Sequence, residues 1–201
     1  MTRPAIGVAG LGSMGFGIAG SLVRAGFTTY GFDINPQQVR RLEQLGGQGG
    51  ALTAMAPALD ILVVVVVNAS QLEDVLFGEA GAAAAMRNGT VVIGCPTVAP
   101  AAARAIEARL AQAGILYLDA PISGGAVKAE AGELTVMMSG RPEAVQAAKP
   151  ALASPSAAPI SAAKFSGSSG VSTAAETSSP RSMPRSCSAS TAAASPASGP
   201  P

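Results

Sequence analysis

The 201-residue chain carries 13 Lys and Arg against 12 Asp and Glu, a net charge of +1, so it has no basic field to hold nucleic acid or an acidic membrane. It has no His, no Trp and only 3% aromatic residues, which excludes a His base, a His metal ligand and an aromatic nucleic-acid platform. Cys95 and Cys187 form neither a CxxC pair nor a disulfide framework, which suits a reducing cytoplasm, and no metal site is read from the sequence.

Ala5-Ile6-Gly7-Val8-Ala9 predicts a short apolar strand followed by a glycine turn. The next helix runs to about Ala25, with Ile18, Leu22 and Val23 on one face and Gly26 as its stop. Pro4 to Val23 is also an uncharged run between Arg3 and Arg24, so a signal peptide or a GxxxG membrane helix competes for these residues. Six glycines, a central Ser13 and the lack of a Leu-rich stretch favour strand, turn and helix over membrane insertion. Thr28 to Phe32 predicts a second strand closed by Asp33, and Asn35-Pro36 opens a helix with Val39, Leu42 and Leu45 as its stripe. Ile61 to Val67 predicts a strand buried on both faces, too short to span a bilayer. Leu72, Val75 and Leu76 mark a helix, Thr90 to Ile93 a strand, and Pro100 to Ala113 a helix carrying Ile106 and Leu110. Ile115 to Leu118 reads as a strand ending in Asp119, Leu134 to Met138 as another, and Pro142 opens a last helix. This alternation predicts an α/β fold, a Rossmann-type doubly wound parallel sheet with right-handed crossovers.

Composition changes after residue 150. Ser, Ala, Pro and Gly supply 38 of the last 51 residues, and the isolated Leu152, Ile160, Phe165, Val171 and Met183 follow no helical or strand period. Such a segment cannot bury enough surface to offset the entropy of ordering it. Residues 1–152 therefore read as one folded domain and 153–201 as a disordered, low-complexity tail.

The chemical signal lies in Gly10-Leu11-Gly12-Ser13-Met14-Gly15. It follows a predicted strand and opens a predicted helix, and the second strand ends in Asp33, 18 residues after Gly15. That arrangement is the dinucleotide fingerprint. Gly10 serves the tight turn, Gly12 lets a pyrophosphate approach the backbone, Gly15 lets the helix pack on the strand, and the helix N-terminus faces the phosphates. Asp33 can accept from the ribose hydroxyls and repel a 2′-phosphate, so NAD is favoured over NADP; a helix-start role for Asp33 competes with this. A second signal is Leu118-Asp119-Ala120-Pro121-Ile122-Ser123-Gly124-Gly125. Its consecutive amides and the Ser hydroxyl form either a nest for a substrate carboxylate or a plain glycine-punctuated turn.

Gly7 to Gly15, Asp119 to Ala126 and Gly132-Glu133-Leu134-Thr135-Val136-Met137 together resemble the β-hydroxyacid dehydrogenase family, which includes 3-hydroxyisobutyrate dehydrogenases and tartronate semialdehyde reductases. Val65 to Ala69, Val75 to Glu79 and Gly124 to Ala129 resemble its L-threonate-oxidising branch. The resemblance runs from residue 5 to about 152. It implies NAD as cofactor, a small hydroxy acid such as L-threonate as substrate, and an assembly of identical subunits. It assigns Gly10, Leu11, Gly12, Ser13, Met14, Gly15 and Asp33 to the cofactor's adenosine and pyrophosphate, Asn68 and Thr97 to positions beside the cofactor, and Ser123, Gly124 and Gly125 to the substrate turn. Cys95-Pro96-Thr97 departs from the family's usual Ser before Thr, removing a hydroxyl and an N–H.

Relatives take the hydroxyl proton with a lysine in a G-x-G-x-x-x-K-x-x-N pattern, and the 201 residues contain no such pattern. No catalytic residue is assigned. Lys128 and Lys149 read as solvated surface charges, and Lys164 has no Asn three residues on. The tail stands where the family has a helical domain, and its composition resembles that expected of a GC-rich gene read in the wrong frame. Without a covering domain, Val136, Met138 and Val145 are expected at the surface, and turnover by these residues alone is expected to be absent.

Overall fold

A computed structural model describes residues 3–152 and the backbone of Ser161–Phe165. In chain order its elements are β1 (Ile6–Ala9), α1 (Ser13–Arg24), β2 (Thr29–Phe32), α2 (Pro36–Gln44), α3 (Leu52–Met55), β3 (Ile61–Val64), α4 (Ala69–Phe77), β4 (Val91–Gly94), α5 (Pro100–Gln112), β5 (Leu116–Asp119), β6 (Ile122–Ser123), α6 (Gly125–Ala131), β7 (Thr135–Gly140), α7 (Pro142–Leu152) and β8 (Ser161–Phe165). The strands form one sheet in the order β2-β1-β3-β4-β5-β7-β6, with β8 beside β7. β1 to β5 are mutually parallel. Chain order reverses between β1 and β3, the crevice where open α/β sheets bind ligands at the strands' carboxyl ends.

Two apolar layers sandwich the sheet, which is why β1, β3 and β4 are buried along their whole length. On one face Ile6, Val8, Ile61, Val63, Val91 and Ile93 pack against Ile18 and Leu22 of α1, Leu42 of α2, Ala129 of α6 and Ala144 and Ala148 of α7. On the other, Leu62, Val64 and Val92 meet Leu72 and Leu76 of α4 and Ile106 and Leu110 of α5. No helix among the described residues is long and apolar enough to cross a membrane.

Four expectations are corrected. The third strand stops at Val64, three residues early, and Val67 is 82% exposed because the chain leaves the sheet there to enter α4. Leu45 caps α2 rather than extending its buried stripe, and it is 49% exposed. The last predicted strand, β7, runs antiparallel to β5 and β6. The seven-residue α6 packs on α1 and is too short to carry the chain back to the sheet's amino edge, so β7 starts at the carboxyl edge and returns. Its alternating burial, with Val136 and Met138 inward and Thr135, Met137 and Ser139 outward, is that of a one-sided strand. Val136 and Met138 are therefore core residues, Val145 is half-buried against the same core, and Met137 is the exposed apolar residue of this strand.

The expected tail divides. Ser161–Phe165 pairs in parallel with β7, a strand that its sequence does not announce. Residues 153–160 and 166–201 lie outside the described residues.

Candidate functional site

The glycine loop joins the carboxyl end of β1 to α1, and its geometry explains two of its glycines. Gly10 has φ +90° and donates its N–H to Phe32 O at 2.8 Å; a Cβ there would lie 2.1 Å from Val65 O. A Cβ on Gly15 would lie 1.8 Å from Gly10 O, so α1 can approach β1 only without one. Gly12 differs: a Cβ there would meet nothing within 4 Å. It is the N-cap of α1 and brings no side chain, so the helix's first amides have no side-chain cap. Ser13 is exposed and Met14 half-buried. The Leu11 side chain turns into the core, leaving only its backbone in the loop.

Asp33, at the end of β2, does more than the sequence shows. Its Oδ2 accepts the Leu11 N–H at 2.6 Å and its Oδ1 accepts the Asn35 N–H at 2.8 Å. The carboxylate thus ties the glycine loop to the β2–α2 turn, and each oxygen keeps a further lone pair. The helix-start alternative falls to Asn35, whose side chain accepts from Gln37 N–H as the cap of α2.

Asn68 caps α4 through Oδ1, which accepts from Gln71 N–H at 3.0 Å, while Gln71 Oε1 accepts from Val67 N–H at 2.9 Å. Gln71 thus reaches back one residue past the cap, a variant of the capping box whose sequence signal is the Asn-x-x-Gln spacing. Thr97 is exposed, after the buried Cys95 and Pro96 that follow β4. Burial pushes the Cys95 thiol up to about 12, helped by the nearby Asp119 charge, so it stays an unreactive thiol. Burial also raises the Asp119 carboxyl. Asp119 Oδ1 and the Tyr117 hydroxyl, two residues apart on β5, are buried and find no hydrogen-bond partner among the described residues. Burial first, then the charges of Asp119, Cys95 and Glu107, raise the Tyr117 phenol.

The second signal forms a turn between β6 and α6. Ser123 pairs with Thr135 in the β6–β7 ladder and is exposed. Gly124 and Gly125 follow with φ +139° and +77°, a backbone that disfavours side chains. The stem of Lys128 lies over Gly124, with its Cδ 3.0 Å from where a Cβ would stand, so this lysine is packed on the turn as well as exposed. α6 lies beside α1, with Ala129 against Gly17 and Glu130 against Ser21. That alignment places Gly125 toward the Ser13 end of α1, and brings turn and glycine loop to the same side of the sheet. A hollow of about 580 Å³ between α1 and α6 is bordered by Phe16, Gly20, Arg24, Leu45, Val127 and Glu130, and no residue of Gly10–Gly15 or Ser123–Gly125 lines it.

Residues 5–165 match the family described as the NAD binding domain of 6-phosphogluconate dehydrogenase. The chain is 49% identical over 150 residues to L-threonate dehydrogenase of Pectobacterium atrosepticum, covering 74% of this chain and 49% of that one. It is 50% identical over 149 residues to L-threonate dehydrogenase of Cupriavidus necator, covering 74% and 50%. The crystal structure of a 3-hydroxyisobutyrate dehydrogenase from Salmonella typhimurium aligns with a TM-score of 0.72 at 42% identity, covering 80% of this chain and 54% of that one. The chain spans about half the length of the curated relatives it matches. It belongs to this family of NAD binding domains, its likeness to the β-hydroxyacid dehydrogenases holds, and its cofactor is NAD. The family match extends past residue 152 to include β8. The site suits the cofactor: Gly12 leaves open space before uncapped helix amides, and Asp33 retains acceptor capacity beside them.

Proposed function

We propose that this chain is the NAD-binding part of a β-hydroxyacid dehydrogenase whose substrate is L-threonate or a similar small hydroxy acid. The observation that carries the reading is the juxtaposition of a braced dinucleotide loop and a Ser-Gly-Gly turn on two helices packed side by side. The amides at the start of α1, with Gly12 as the bare approach, hold the pyrophosphate. Asp33 uses its remaining lone pairs for the adenosine ribose and repels a 2′-phosphate, which sets NAD above NADP. Asn68 and Thr97 flank the nicotinamide half, and Ser123, Gly124 and Gly125 receive the substrate carboxylate. NAD, when bound, supplies the hydride acceptor.

Removal of the hydroxyl proton has no assigned group in these 201 residues. The family's lysine pattern is missing from the sequence, and Lys128 and Lys149 stand at exposed helical positions. A positioned base contributes about 10²–10⁴ in rate, and substrate positioning accounts for about 7–11 kcal/mol of barrier. These residues alone are therefore expected to bind NAD without measurable turnover. A different substrate, 3-hydroxyisobutyrate, is supported by the name of the Salmonella relative.

The deciding experiment is NAD titration of the purified chain, followed by NADH formation with L-threonate, 3-hydroxyisobutyrate and glycerate. Binding with silence on all three supports the cofactor roles and the lack of a base in these residues. Clear turnover would reveal an unassigned base, and no NAD binding would defeat the cofactor roles given to the loop.

A further inference from the structure

α6 has little of its own to hold it in place. It is seven residues long, Ala129 is its one buried residue, and Val127 is 81% exposed. A helix this short is not stable alone, and burying one methyl group adds little. Yet its first residue belongs to the Ser123–Gly125 turn, so whatever seats α6 also sets that turn.

The seating comes from one face of α1. Gly17, Ser21 and Arg24 follow at intervals of four and three, so they line up along the helix. A Cβ on Gly17 would lie 2.7 Å from Ala129 Cβ and 2.8 Å from Glu130 N, so the two backbones touch here. Ser21 is 1% exposed; its Oγ donates to Glu130 O at 3.2 Å and accepts from Arg24 Nη2 at 3.1 Å. Arg24 Nη2 also donates to Glu130 O. The end of α6 closes itself in part, since Gly132 has φ +73° and Glu133 N–H bonds Lys128 O at 2.8 Å. Glu130 O receives its partners from α1, and the guanidinium charge suits a helix carboxyl end.

We infer that Ser21 and Arg24 are positioning residues for the Ser123–Gly125 turn, clamping α6 to the helix that starts at the glycine loop. Their effect on substrate rests on the reading of that turn as the carboxylate site. Neither residue touches the loop, so the clamp acts on the turn and leaves NAD contacts alone.

The test compares the full chain with Arg24→Met, which keeps the stem, with Arg24→Lys, which keeps a donor, and with Ser21→Ala. Amide hydrogen exchange is measured first without NAD. Exchange across residues 122–132 should accelerate about tenfold or more in Arg24→Met, as expected for losing a charge-assisted bond, while β1, β3 and β4 amides keep their rates. Arg24→Lys should recover part of the protection. Unchanged exchange in α6, or equal acceleration throughout the sheet, overturns the clamp. In NAD-loaded chain, L-threonate affinity should fall about tenfold with NAD affinity unchanged. Faster exchange with L-threonate affinity intact overturns the positioning role. If L-threonate does not bind the unmutated chain, the carboxylate reading of the turn fails, while the exchange result still judges the clamp by itself.

Discussion

The glycine loop and the Ser-Gly-Gly turn have similar compositions and opposite mechanical characters. In the loop, Gly10 and Gly15 are glycines because backbone oxygen occupies the space of a side chain, and Asp33 ties the strand end to both flanking turns. At the turn, Gly125 has open space around it, and only its positive φ favours glycine. Its following helix is held by a close approach to Gly17 and by polar bonds to one carbonyl. The loop is over-determined by packing; the turn depends on a few polar bonds, which leaves it adjustable by small changes nearby.

The comparison breaks most visibly at Gly15. Gly15→Ala should destabilise the chain by about 3 kcal/mol or prevent folding, because the clash is with backbone that cannot move aside. Urea unfolding reads this directly, and a loss near zero would mean the loop is not packed as described. Asp33→Ser should narrow the preference for NAD over NADP by about 1–3 kcal/mol, measured by paired titrations; equal affinities in the unmutated chain would remove the basis for it. Gly125→Ala should cost only about 1 kcal/mol, the strain of a left-handed residue without a clash. Urea midpoints that rank Gly125→Ala with Gly15→Ala would erase the distinction between the two regions.

The smallest effect concerns Asp119. Burial raises its carboxyl in the folded chain. A raised carboxyl contributes stability that is fully present below its unfolded value and is lost as pH rises through the folded value. Stability of the unmutated chain should therefore decline somewhat from about pH 4 upward on this account, and Asp119→Asn should flatten that portion of the profile. Denaturation midpoints from about pH 4 to about pH 8 test it, and identical slopes in both proteins would count against a buried, unpaired Oδ1.

The glycine loop, the Asp33 position and the first five strands were legible because their signals are local. A strand buried on both faces reads as a continuous apolar run, as Ile61 to Val64 does, and a helix start reads as Asn35-Pro36. The direction of β7 was not legible from its apolar content, although its alternating Val136 and Met138 hinted at one covered face. The roles of Ser21 and Arg24 had no signal at all. Their partner, Glu130 O, is backbone more than 100 residues away.

By itself the sequence determined where the chain extends, coils and turns, and where glycines open its loops, because periodicity and backbone freedom act between near neighbours. Only the tertiary structure decided that Asp33 spends one bond on Leu11, that β7 returns antiparallel, and that α6, which follows the Ser-Gly-Gly turn, is bonded to α1. Those outcomes depend on distances between segments far apart in the chain, which are set by how the two apolar layers close on the sheet and leave no trace in local residue pattern.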